Sequence, residues 1–93
     1  YPSVQRDIAV VVDDAIPSGD LTATIREAAG ELLESVHVFD VFKGERLGAD
    51  KKSVAIALVY RHAEHTLTDE EVTAVHDGVL TRLSEQFGAE LRK

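Results

Sequence analysis

Ninety-three residues, 44% of them hydrophobic, carry a formal charge of −7 and contain neither cysteine nor methionine. A chain this short closes around one core and leaves no room for a second domain. Without cysteine, disulfides, iron–sulfur clusters and thiolate zinc sites are excluded, and the acid surplus speaks against a sequence-indifferent nucleic-acid clamp, which draws its affinity from basic side chains on phosphates.

No apolar run reaches the roughly 18 residues that span a bilayer, and no basic-then-apolar leader is visible, so a soluble, cytoplasmic protein is expected. The missing methionine at position 1 suggests a piece of a longer polypeptide. The acidity is unevenly spread. Six acids from Glu64 to Glu85 face one base, Arg82, whereas Lys43, Arg46, Lys51 and Lys52 outnumber Glu45 and Asp50 in the stretch from 43 to 52. One side of the molecule can therefore still meet a polyanion.

In chain order, residues 1–5 read as a tail and Arg6 to Val12 as a short buried strand. Asp13 to Pro17 ends it, and Ser18 is the expected N-cap of a helix with Asp20 in its first turn, where a carboxylate suits the helix dipole. Leu21, Ile25, Ala28 and Leu32 recur at helical spacing, with Arg26, Glu27 and Glu31 off the stripe, which predicts an amphipathic helix ending near Leu33. Val36 to Tyr60 then reads as two strands joined by a charged, glycine-containing loop, the second strand (Ser53 to Tyr60) apolar or small enough to be central. In the first strand the apolar pattern changes phase between Val38 and Phe39, which a bulge or burial on both faces would explain, and a carboxylate, Asp40, interrupts it. Thr68 and Glu71 form a capping box flanked by Leu67 and Val72, starting a helix whose stripe runs Val72, Val75, Val79, Leu83, Phe87. Gly78 within it suggests close packing of helix on sheet, Gly88 suits the left-handed stop, and Ala89 to Arg92 form a last short strand.

The order strand, helix, strand, strand, helix, strand predicts an α+β, ferredoxin-like βαββαβ sandwich. It has a four-stranded antiparallel sheet in the order 4-1-3-2 and both helices on one face. The other face is open. Alternation puts Ser53, Ala55, Ala57 and Val59 of the third strand on it, with Asp7, Ala9 and Val11 of the first. Small side chains at Ala9 and Ser53 either let a ligand lie close to the sheet or simply fill tight strand positions. Asp40 either reads a ligand, caps the bulge, or pairs with Lys43 or an arginine. Four histidines invite a metal reading, but His62 and His65 around Glu64 lack further ligands at zinc spacing, and His37 and His76 read as partly buried structural residues. No nucleophile has a histidine and carboxylate partner, and no glycine-rich phosphate loop exists, so no catalytic residue is assigned.

The phrases YPSVQRDIAVVV, VFDVFKG, KKSVAIAL and TLTDEEV, in this order and separation, resemble the ferredoxin-fold anticodon-binding domain that closes the beta subunit of bacterial phenylalanyl-tRNA synthetase. The resemblance runs from Pro2 to Arg92, with two departures: Phe42 stands where the family usually carries tyrosine, and His65 where it carries arginine. It implies a binding module for the anticodon loop of the phenylalanine tRNA, with aminoacylation elsewhere in a heterotetramer of alpha and beta subunits that uses ATP and magnesium. It implies no cofactor in this segment, and a monomer when isolated. The positions matching the family's anticodon contacts are Ala9, Asp40, Ser53 and Arg92. Arg92 would otherwise be a frayed terminal charge. Lys43, Arg46, Lys51 and Lys52 are candidate phosphate contacts or solvated loop charges. Among rivals with the same sandwich, an acylphosphatase-like enzyme needs an asparagine that the chain lacks. An RNA-recognition motif needs outward aromatics on its first and third strands, where none stands. A regulatory small-ligand module that dimerises is the alternative that composition leaves open.

Overall fold

The computed structural model describes residues 1–92. A four-stranded antiparallel sheet, β1 (Val4–Asp13), β2 (Leu33–Phe42), β3 (Lys51–Tyr60) and β4 (Glu90–Leu91), carries two helices, α1 (Ser18–Ala29) and α2 (Asp69–Phe87). The strand order β2-β3-β1-β4 is the expected one. The alternation that assigned the two faces of the sheet also holds. Ile8, Val10 and Val12 of β1 and Val54, Ile56, Leu58 and Tyr60 of β3 point to the helices and are buried. They meet Leu21 and Ile25 of α1 and Val72, Val79 and Leu83 of α2, all at most 1% exposed. Branched side chains on the pleated face and leucines on the helical stripes fill one core, and this burial is the main stabilising term.

Several boundaries differ from expectation for identifiable reasons. The strands are longer where a partner is present: Val4 and Gln5 pair with Tyr60 and Val59, so the last two residues of the expected tail are strand, and Leu33 pairs with Tyr60, so β2 starts three residues before Val36. Ser18 is not the N-cap of α1. Pro17 occupies that position with φ −63° and ψ 139° and no side-chain cap, and its carbonyl accepts the Asp20 N–H at 3.0 Å, which draws Ser18 into the first turn. At the other end Gly30, with φ 64°, stops α1 at Ala29, and one 3₁₀ turn (Gly30–Leu32) leads into β2. The expected bulge is present, the register shifting between Val38 and Asp40.

The start of α2 is built as the sequence dictates. Thr68 Oγ1 accepts the Glu71 N–H at 3.2 Å, and Glu71 Oε1 accepts the Thr68 N–H at 3.1 Å. Gly88, with φ 66° and ψ 24°, is the left-handed stop. Glu71 also faces His65, whose Nε2 lies 2.8 Å from Oε2, and hydrogen bonds from His65 and then from Thr68 hold the Glu71 carboxyl below the usual carboxylate range. The expectation for Gly78 is wrong: it is exposed, and a Cβ built on it meets nothing within 4 Å, so no close packing requires it. His76 is the buried structural histidine that its place beside the stripe predicts, its Nδ1 2.9 Å from the Tyr60 hydroxyl.

Candidate nucleic-acid interface

Cross-strand register decides which side chains share the open face. Asp40 of β2 stands opposite Ala55 of β3, Ala55 stands opposite Ala9 of β1, and the Arg92 N–H donates to the Ala9 carbonyl at 2.7 Å. Asp40, Ala55, Ala9 and Arg92 thus form one row across the sheet, its ends three strand spacings or about 14 Å apart. The neighbouring row runs Phe42, Ser53, Val11, Glu90. Three of the four sequence-assigned positions, Ala9, Asp40 and Arg92, lie in the first row, and the fourth, Ser53, lies two residues along β3 from Ala55.

The bulge brings Asp40 into that row. Without it, strict alternation from Val36 and Val38 would turn Asp40 toward the helices. Instead the extra residue, Phe39, lets Asp40 pair with outward-facing Ala55, while Val41 opposite Val54 returns to the inner side. The Asp40 carboxylate is exposed and makes no hydrogen bond or ion pair among the described residues. Lys43, the partner offered by the structural reading of Asp40, is engaged elsewhere, its Nζ 2.9 Å from Asp14 Oδ1. Both acceptor oxygens of Asp40 are thus available to a ligand.

Arg92 is not a frayed charge. Its backbone continues the β4 ladder, and its guanidinium carbon lies 5.3 Å from the centroid of the Phe42 ring, within cation–π range. Since β4 and β2 are opposite edges of the sheet, the two side chains reach toward each other over β1 and β3, and only small residues beneath them permit this. Ser53 is 3% exposed under this cover. The Phe42 ring in turn lies over Gly44, where a Cβ would come within 3.0 Å of it. Phe42, Arg92, Arg46, Leu47, Gly44 and Glu45 line a cleft of about 380 Å³ beside the row.

The loop cations divide. Arg46 borders the cleft, Lys51 is exposed on the open-face phase of β3, and Lys43 is 64% exposed while bound to Asp14. Lys52 corrects the expectation of a phosphate contact. It pairs with inward-facing Val12 and is 8% exposed on the helix side, its stem covered by the core. His37 corrects another: opposite Ala57 on the open face, it is exposed. His62 and His65 stack with ring centroids 3.9 Å apart, and among the described residues no three metal-ligating side chains converge.

A search among protein families matches residues 1–92 to the family described as the ferredoxin-fold anticodon binding domain. The chain belongs to this family. The domain is also similar to phenylalanine–tRNA ligase beta subunits: 51% identical over 92 residues to that of Shouchella clausii, 52% to that of Bacillus subtilis and 47% to that of Hahella chejuensis, in each case covering 99% of the chain. It spans only 11–12% of the length of these relatives.

Sequence reasoning about the domain missed the aromatics of β2. The first and third strands carry no outward rings, but Phe42 and Phe39 are 46% and 54% exposed on the second. The signal was the phase change at Val38–Phe39: carried through to the end of the strand, it turns Phe42 outward with Asp40.

Proposed function

We propose that the open sheet face binds the anticodon loop of the phenylalanine tRNA and that the domain is the anticodon-reading module of a phenylalanine–tRNA ligase beta subunit. In this reading aminoacylation with ATP and magnesium occurs elsewhere in a cytoplasmic assembly of beta and alpha subunits. The observation that carries the reading is the Asp40 carboxylate, without a partner among the described residues and exposed in one row with Ala55, Ala9 and Arg92, flanked by Phe42. Family membership and the names of the relatives support it.

Asp40 offers two acceptor oxygens and no donor, and the Watson–Crick edge of guanine offers two adjacent donors, the N1 and N2 hydrogens, so the pair is bidentate and charge-assisted. Guanine is then the first anticodon base. The small side chains of Ala55 and Ala9 let that base lie close to the sheet, and Ser53, covered by Phe42 and Arg92, meets it only where that pair parts. The Phe42 ring and the Arg92 guanidinium provide flat surfaces on which an unstacked base packs, the device common to readers of single-stranded RNA loops. Arg92, Arg46 and Lys51, exposed on or beside this face, are the groups proposed to meet the flanking phosphates.

Titrating the chain with the anticodon stem-loop of the phenylalanine tRNA, against one of unrelated anticodon, tests the reading; equal binding or none would sink it. Asp40→Asn keeps the shape and turns one acceptor into a donor. It should weaken a guanine-first loop by about 1–3 kcal/mol and an inosine-first loop, which lacks the N2 amine, much less. Equal loss on both loops together with a lower melting temperature would assign Asp40 to the fold.

A further inference from the structure

Beyond the bulge, β2 carries a second aromatic feature that the reading of the first base does not use. Phe39 is 54% exposed, and its ring centroid lies 6.3 Å from that of His37 with the planes at 67°, an edge-to-face pair. His37 faces outward opposite Ala57, so this contact places Phe39 on the open face as well. The bulge therefore presents two consecutive residues, Phe39 and Asp40, on one side of the strand.

We infer that the Phe39–His37 pair is a stacking subsite for a second unpaired RNA base, the one that follows the guanine held at Asp40; this deepens the proposed function and rests on it. Edge-to-face contact with His37 restrains the Phe39 ring, so that it offers a fixed face and little rotamer freedom is lost on binding. Neighbouring Ala57 is small, which leaves room for a planar group beside the ring. Because Phe39 is the bulged residue, Phe39 and Phe42 are about two and a half residues of the facing strand apart, about 8 Å at 3.3 Å per residue, a separation that consecutive bases of a splayed-out loop can span. The subsite is thus continuous with the Asp40 row. An apolar protein partner fits less well, since covering Phe39 would also bury the neighbouring Asp40 carboxylate without a counter-charge.

The test uses a guanine-first anticodon stem-loop carrying the fluorescent base 2-aminopurine immediately after the guanine, whose emission is quenched on stacking. Phe39→Leu should relieve the quenching in the complex and weaken binding roughly tenfold, Phe39→Tyr should restore both, and neither change should alter the ratio of guanine-first to inosine-first binding. Because Phe39 is outside the core, both variants should melt as the parent does. If Phe39→Leu leaves quenching and affinity unchanged while the guanine preference persists, the subsite is refuted and the anticodon reading stands; those aromatics are then free for another partner. If the unsubstituted chain shows neither quenching nor guanine preference, the anticodon reading itself fails and the subsite falls with it.

Discussion

Removing one hydroxyl from the core should show how strongly a single polar pair holds this fold. Tyr60 and His76 are 0% and 9% exposed, and the phenol and the imidazole Nδ1 are 2.9 Å apart. Both groups are neutral, one donating and the other accepting according to the imidazole tautomer, and each is held in that charge state. Burial, with a small opposing effect of Arg6, pushes the Tyr60 hydroxyl up to about 12, while burial first and then Arg6 push His76 down against the opposing charge of Asp77. Tyr60→Phe keeps the ring and leaves the buried Nδ1 without its partner, which should cost about 1–3 kcal/mol. At about 4–8 °C per kcal/mol for a domain of this size, the melting temperature should fall by roughly 10 °C for a 2 kcal/mol loss. Two pH limbs accompany this. Because the folded His76 binds its proton less readily than the unfolded one, stability is lost as pH falls below about 6.5, and His76→Gln should flatten that limb. Because the folded Tyr60 holds its proton more tightly, stability is also lost as pH rises above about 10, and Tyr60→Phe should remove that limb. Thermal melts followed by circular dichroism across pH measure all three effects. A Tyr60→Phe domain that melts within about 2 °C of the parent at neutral pH would refute the argument that the buried imidazole depends on this hydroxyl.

Thr68→Ala removes the acceptor for the Glu71 N–H and should cost about 1 kcal/mol, with RNA preference unchanged; altered anticodon preference at constant stability would place the helix start in the recognition surface. Gly78→Ala should stabilise the domain by about 1 kcal/mol in chemical denaturation, because the position is helical, exposed and open around a Cβ; a loss of stability would reveal a packing constraint there. Binding of the stem-loop should depend only moderately on salt. Three phosphate contacts, from Arg46, Lys51 and Arg92, give a log–log slope of about −2 at 0.7 per contact, and a slope steeper than about −5 would indicate a broad phosphate-tracking surface.

Local rules reach as far as local chemistry does in this chain. Thr68 with Glu71, Gly88 after Phe87, and the alternation in RDIAVVV and SVAIALV each state their own structure, because one turn or one pleat decides them. Where a neighbour decides, the sequence is silent. The start of β2 at Leu33 depends on Tyr60 across the sheet, and the cap position of Pro17 depends on the hydrogen bond from Asp20 to its carbonyl. At the candidate site, the small residues Ala9 and Ser53 were legible from alternation, and Asp40 from its interruption of an apolar run. Arg92 and Phe42 were not legible as a pair, since 50 residues separate them and only the sheet order brings them together. Lys52 was misread for the same reason: its charge suggests solvent, while its register opposite Val12 turns it to the helices.

The net charge of −7 and an RNA ligand are reconciled by where the charge lies. Asp69, Glu70, Glu71, Asp77 and Glu85 are on α2 or its first turn, and Glu27 is on α1, tied to Arg82 of α2 at 2.7 Å. The helices pack on the face of the sheet opposite the Asp40 row. Packed layers are separated by about 10 Å, so charges on the outer side of the helices lie beyond the screening length of about 8 Å at physiological ionic strength from a loop on the open face. Once the loop is docked, these acids therefore contribute little repulsion. During approach they disfavour the helix side, whereas on the sheet side exposed Arg46, Lys51 and Arg92 offset exposed Asp7, Asp40 and Glu90. On the proposed reading the acidic helix side steers RNA away from itself, while Asp40, itself an anion, makes binding depend on the base presented to it. If the face binds RNA as proposed, this carboxylate weakens every complex in which its two acceptors find no pair of donors, and that penalty against other bases is the expected source of selectivity.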